Sequence, residues 1–146
     1  MAELVVTQVV PAPAEQVWDA LTDWPAHDRW MLLTRAEGDR SEGGSIRAFT
    51  GVGPVGFVDT MTITLWEPPR RAVVRHTGRV VRGSGSFEVE ALGESRSRVV
   101  WSEWVQLPFG LLGRIAWPVA RVVLRALVQA SLRRLSRYVA TQPWQP

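Results

Sequence analysis

The chain of 146 residues has no cysteine, which excludes disulfides, thiolate metal centres and a disulfide-stapled secreted scaffold. Lysine and asparagine are missing too, so all 17 basic side chains are arginine, a bias expected of a GC-rich genome. Arginine never deprotonates, and this accounts for a pI near 10.8 at a net charge of only +3 without invoking nucleic acid. With two histidines and no cysteine there is no metal-ligand spacing, so neither a metal nor a cofactor is expected. The apolar run from Leu107 to Leu124 is broken by Arg114 and Arg121, which makes it a poor membrane span. "MAELVVTQVV" lacks the basic segment, apolar stretch and small-residue site of a signal peptide, so a cytoplasmic address is the default expectation. What the chain does have is a globular balance, 46% hydrophobic and 21% charged, and a length suited to one domain over residues 1–146. It also has eight tryptophans, which need a reason.

Leu4 to Val10 is rich in β-branched residues and reads as a strand. Pro13 and Glu15 suit a helix start, and Val17, Leu21 and Trp24 recur at the spacing of one helical face until Pro25 ends it. Trp18, Trp24 and Trp30 lie six apart, 240° on an ideal α-helix, so no single α-helical stripe holds all three. Trp24 is expected to seal the core, and Trp18 and Trp30 to divide between packing and pocket lining. From Leu32 to Leu107 the period becomes two, with turn clusters marking six strands at 32–37, 45–50, 55–66, 71–78, 84–91 and 97–106. Their short connections argue for antiparallel neighbours. After "LPFG" a long helix is expected to about Thr141, with Pro118 near its start. Val123, Leu124, Leu127, Val128, Leu135 and Tyr138 share its apolar arc, and Arg121, Arg125, Gln129, Arg133 and Arg137 the other side.

This order, with "PAPAEQVWDALTDWPAHDRW", "WEPPRR", "HTGRVVRGSGSFEV" and "WSEWVQLP", resembles the START-like or SRPBCC superfamily, in its polyketide cyclase/dehydrase-like bacterial branch. The resemblance implies an α+β helix-grip fold, a seven-stranded curved antiparallel sheet around a long C-terminal helix, with two short helices after the first strand. It further implies a cavity for a hydrophobic small molecule, aromatic, polyketide-like or lipid-like. Reactions differ among such proteins, so the fold does not name the function.

Strand phase selects the inner face. Val55, Phe57, Asp59, Met61, Ile63 and Leu65 are apolar but for Asp59 and should face the helix. A tight turn at "EPPR" would set Leu65 opposite Ala72, Ile63 opposite Val74 and Met61 opposite His76. A turn at "LGESR" would set Val89 opposite Val99, Phe87 opposite Trp101 and Gly85 opposite Glu103. Asp59, His76 and Glu103 are therefore candidates for holding a ligand's polar end or for acid/base chemistry, with Arg79 a lesser associate. The plainer alternative is a structural bridge. The expected ligand-binding set is Trp18, Trp30, Phe57, Asp59, Met61, His76, Phe87, Trp101, Glu103, Leu124 and Leu127.

"GVGPVG" matches a dinucleotide fingerprint at Gly51, Gly53 and Gly56, but Pro54 and an alternating strand follow where a helix is needed, so a loop near the pocket mouth is expected. Ser84 and Ser86 have no nucleophile elbow around them. The arginine-lined last helix reads as a solvated face, with an anionic membrane or an acidic carrier protein as alternatives and no nucleic acid. The chain is expected to be a monomer or homodimer.

Overall fold

The computed structural model describes residues 2–107 and 109–144. Pro108 of the "LPFG" break and the terminal Gln145-Pro146 lie outside the described residues. Strand β1 (Ala2–Val10) leads into helix α1 (Ala14–Leu21) and a 3-10 helix (Trp24–Arg29). Six strands follow: β2 (Thr34–Gly38), β3 (Ser45–Val52), β4 (Val55–Glu67), β5 (Arg71–Thr77), β6 (Arg82–Gly93) and β7 (Arg96–Gln106). Helix α2 (Leu111–Thr141) completes the chain. One antiparallel sheet runs in the order β1-β7-β6-β5-β4-β3-β2. The expected helix-grip α+β architecture is therefore present.

The core gathers where α1 and the C-terminal half of α2 meet the sheet. Val17, Trp18 and Leu21 of α1 pack with Ala72, Phe87, Val89 and Val99 of the sheet and Leu132, Leu135 and Val139 of α2. Each of these leucines, removed from water, contributes about 1.5–3 kcal/mol relative to exposure. Ser131 is also buried, and its Oγ accepts from the Leu32 N–H at 3.0 Å, tying α2 to the segment before β2.

Four local readings need correction. First, Met61–His76 and Ile63–Val74 pair as expected, but a bulge between Ile63 and Leu65 shifts the register. Leu65 consequently meets Val73, and Trp66 meets Ala72. Trp66, outward on strict alternation, turns into the core, because one extra residue reverses the face of every residue beyond it. Second, α1 stops at Leu21, where the Thr22 N–H and hydroxyl both donate to the Trp18 carbonyl, so Trp24 opens the next element instead of closing this one. Third, that element has three residues per turn, so positions three apart eclipse. Trp24, His27 and Trp30 consequently stack in series, with ring centroids 5.0 and 4.8 Å apart. The six-residue interval of Trp24 and Trp30 is two such turns, and the α-helical angle does not apply to it.

Fourth, α2 begins at Leu111, seven residues before Pro118, which sits inside the helix. The buried set, Ser131, Leu132, Leu135 and Val139, is displaced around the helix from the expected arc. Val123 points to solvent, and Gln129, placed on the polar side, donates to the Thr7 carbonyl and to Gln8 Oε1 of β1. Only the C-terminal half of α2 rests on packed core. The N-terminal half spans a hollow.

Candidate functional site

β4, β5 and β7 each carry one ionisable side chain on the concave face, and register brings the three together. His76 Nδ1–H donates to Asp59 Oδ1 at 2.9 Å, and Nε2–H donates to Glu103 Oε2 at 2.8 Å. Trp101 Nε1–H donates to the other Glu103 oxygen, Oε1, at 3.1 Å. Glu103 lies opposite Gly85, and a Cβ there would stand 2.7 Å from Oε2, so the missing side chain makes room for the carboxylate. The His76 side chain is only 4% exposed, whereas those of Asp59 and Glu103 are 16% and 21% exposed. Burial by itself pulls the imidazole towards neutrality, but the bonds to Asp59 and Glu103 outweigh it and raise its pKa to about 10. Both ring nitrogens donate, so the ring is an imidazolium held between two carboxylates.

Around this cluster lies a cavity of about 470 Å³ between the sheet and the N-terminal half of α2, within the range of small-molecule sites. Phe57, Met61, Phe87, Trp101 and Leu124 border it as expected, along with all three ionisable residues. Trp18, Trp30 and Leu127 do not. Trp18 packs edge-on to Trp66 at 5.1 Å and borders a separate surface cleft with Glu15, Arg40 and Trp144. Trp30 is fully buried beneath His27, and Leu127 lies off the face of α2 that looks into the hollow, which runs through Trp117, Ala120, Leu124 and Val128. Arg79 is exposed and outside the cavity. "GVGPVG" forms the β3–β4 hairpin: Gly51 pairs with Gly56, and Gly53 takes the left-handed φ of 58° that its turn requires.

Sequence reasoning missed Trp24 and His27, both at the cavity wall. His27 Nε2–H donates to the Leu21 carbonyl at 2.7 Å, and burial holds its pKa below the usual value. A search for three-residue as well as four-residue spacing would have grouped it with Trp24 and Trp30.

Several solved structures share this fold. TTHA0849 from Thermus thermophilus superposes with a TM-score of 0.77 at 18% identity, covering 97% of this chain and 100% of its own. The Zhui aromatase/cyclase from Streptomyces sp. R1128 gives 0.76 at 20% identity, with 95% and 93% covered. A START superfamily protein from Mycobacterium smegmatis gives 0.74 at 14% identity, with 94% and 97% covered. Among curated proteins, none matches the chain in sequence. The sequence profile described as polyketide cyclase / dehydrase and lipid transport matches residues 1–140, nearly the whole length over which sheet, cavity and gripping helix are built, and the chain belongs to that family.

Proposed function

We propose that residues 1–146 act as one ligand-binding domain that binds or carries a hydrophobic, ring-bearing or lipid-like molecule between sheet and α2. The ligand's polar end would meet Asp59, His76 and Glu103. The observation carrying this reading is a hollow walled by Phe57, Met61, Phe87, Trp101, Trp117 and Leu124 with a single hydrogen-bonded ionisable cluster inside it. The second reading is a cofactor-independent cyclase, aromatase or dehydratase, favoured by the likeness to the Zhui aromatase/cyclase and by an acidic group facing the cavity. A general base needs a free lone pair on the nitrogen that takes the proton, and neither nitrogen of His76 has one while both donate to carboxylates. The geometry therefore favours binding over proton abstraction.

Mass analysis of the protein purified from its own host separates the two: an unaltered co-purifying lipid or aromatic supports carriage, and a polyketide intermediate supports catalysis. Ala120→Trp, which adds an indole on the cavity-facing side of α2, should leave the far-UV circular dichroism unchanged. It should weaken ligand binding by more than about tenfold, a loss of about 1.4 kcal/mol. Unchanged affinity in the folded variant rules this cavity out as the site.

A further inference from the structure

The cavity's charge runs against that of the chain. Seventeen arginines give the chain its net positive charge, yet none borders the hollow. Its titratable lining is Asp59, His76, Glu103 and His27. His27 is already committed to the Leu21 carbonyl and is held towards its neutral form by burial. The remaining three sum to one negative charge: two carboxylates and one imidazolium. Thr34, Thr50, Ser86 and Gln106 add polar atoms without adding charge. Hydrogen bonding points the same way. Both N–H groups of His76 and the indole N–H of Trp101 are spent on the carboxylates, so the atoms left over at the cluster, Asp59 Oδ2 among them, are acceptors.

We propose that the cavity selects apolar molecules whose polar end donates hydrogen bonds, an amine, alcohol or phenol, and rejects free carboxylates such as fatty acids. This rests on the binding reading above and narrows its ligand class. An anionic headgroup would meet net like charge, since the one cation, His76, has both N–H groups bonded to Asp59 and Glu103, and a chain bearing only carbonyls would find no free donor at the cluster. Isothermal titration with four probes sharing one ring system tests it: 2-naphthylmethylamine, 2-naphthalenemethanol, 2-methylnaphthalene and 2-naphthoate. The amine and the alcohol should bind at least about tenfold more tightly than 2-naphthoate. Asp59→Asn/Glu103→Gln, which keeps an oxygen acceptor at each position, should shrink the gap between amine and naphthoate. Naphthoate binding as tightly as the amine overturns the charge selection alone. Failure of all four, 2-methylnaphthalene included, overturns the cavity reading with it.

A different observation carries a second inference. The outward face of the first four turns of α2 is apolar: Leu111, Leu112, Ile115, Val119 and Val122 are 67–73% exposed, and Phe109 just before them is 82% exposed. Arg114, Arg121 and Arg125, spaced seven and four apart, flank this stripe on one side of the helix and are exposed. Residues 104–146 contain six arginines and no carboxylate side chain. Phe109 also borders the cavity, which makes the face continuous with its mouth. A second copy docked on this face would oppose arginine flanks with no carboxylate on the helix to pair with them. An anionic lipid surface takes both features at once.

We infer that this face docks on anionic membranes, with α2 lying along the interface. Co-sedimentation should show binding to phosphatidylcholine vesicles only when phosphatidylglycerol is included, with salt weakening it. Arg121→Gln should lower the affinity about fivefold, the worth of one arginine near such a surface. Leu112→Glu/Val119→Glu, which leaves the core and the cavity lining intact, should abolish binding. No binding to the anionic vesicles, or a dimer in solution that the same double variant dissociates without any vesicle binding, overturns the inference.

Discussion

Stability should fall as pH rises from about 6.5 towards 10, and His76 should be the cause. Its folded pKa is raised from the ordinary 6.5 to about 10. Between those values the native protein keeps a proton that the unfolded chain releases. The stabilisation is thus complete below 6.5 and is lost as pH climbs through about 10, with a limiting slope of about 1.4 kcal/mol per pH unit. Asp59 and Glu103, the charged groups facing the ring from β4 and β7, are partly exposed, so solvent screening will keep the measured slope below that limit. His27 acts with the opposite sign. Its pKa is lowered, so its contribution is present above 6.5 and declines as pH falls below it. A stability maximum near 6.5 follows from the two histidines together. Urea unfolding across the range checks this: His76→Gln should flatten the alkaline limb and leave the acid limb standing. A wild-type profile without an alkaline decline would show that the imidazolium is not held as its hydrogen bonds indicate.

The second large effect is expected from His76→Ala. It leaves two carboxylates on the concave face with no cation between them and should cost about 3–5 kcal/mol, the range for removing one partner of a buried ion pair. The partial exposure of both acids favours the lower end. Replacing the whole cluster, as Asp59→Leu/His76→Leu/Glu103→Leu, should restore most of that stability, since a buried charged triad exchanged for apolar residues of similar bulk is often neutral or stabilising. Chemical denaturation of both variants decides it. If His76→Ala costs under about 1 kcal/mol, the cluster is too well hydrated to act as a buried site. If the triple variant is as stable as wild type, the ionisable trio is not needed for folding.

The cluster is legible in the sequence although three strands contribute one residue each. Alternation along β4 separates one side from the other. Met61 meets His76 because two departures offset: Glu67 pairs with Arg71, leaving a loop one residue shorter than four, and the bulge at Thr64 restores the register. The β6–β7 hairpin likewise sets Gly85 against Glu103. Alternation holds as far as the Thr64 bulge, beyond which Trp66 goes to the face that alternation denied it. No residue at that position advertises a bulge. The division of labour among the tryptophans is different again. Trp18, Trp24 and Trp30 are equally apolar in sequence, and their places follow from a helix that ends at Thr22 and a tighter one that stacks Trp24, His27 and Trp30.

The amino-acid sequence by itself determined the antiparallel hairpins and the common face of Asp59, His76 and Glu103, since these depend on periodicity and short connections. The pairing of residues 2–10 with residues 97–105, which places β1 beside β7, is not local. Tertiary structure alone decided which face of α2 is covered and where the hollow lies. Aliphatic residues occur along the whole helix, but only the assembled sheet makes the second half a buried wall at Leu132, Leu135 and Val139 and leaves the first half spanning the hollow with Leu112, Ile115 and Val119 on its outer side. Burial depends on what stands opposite a side chain, and that is a property of the assembled layers.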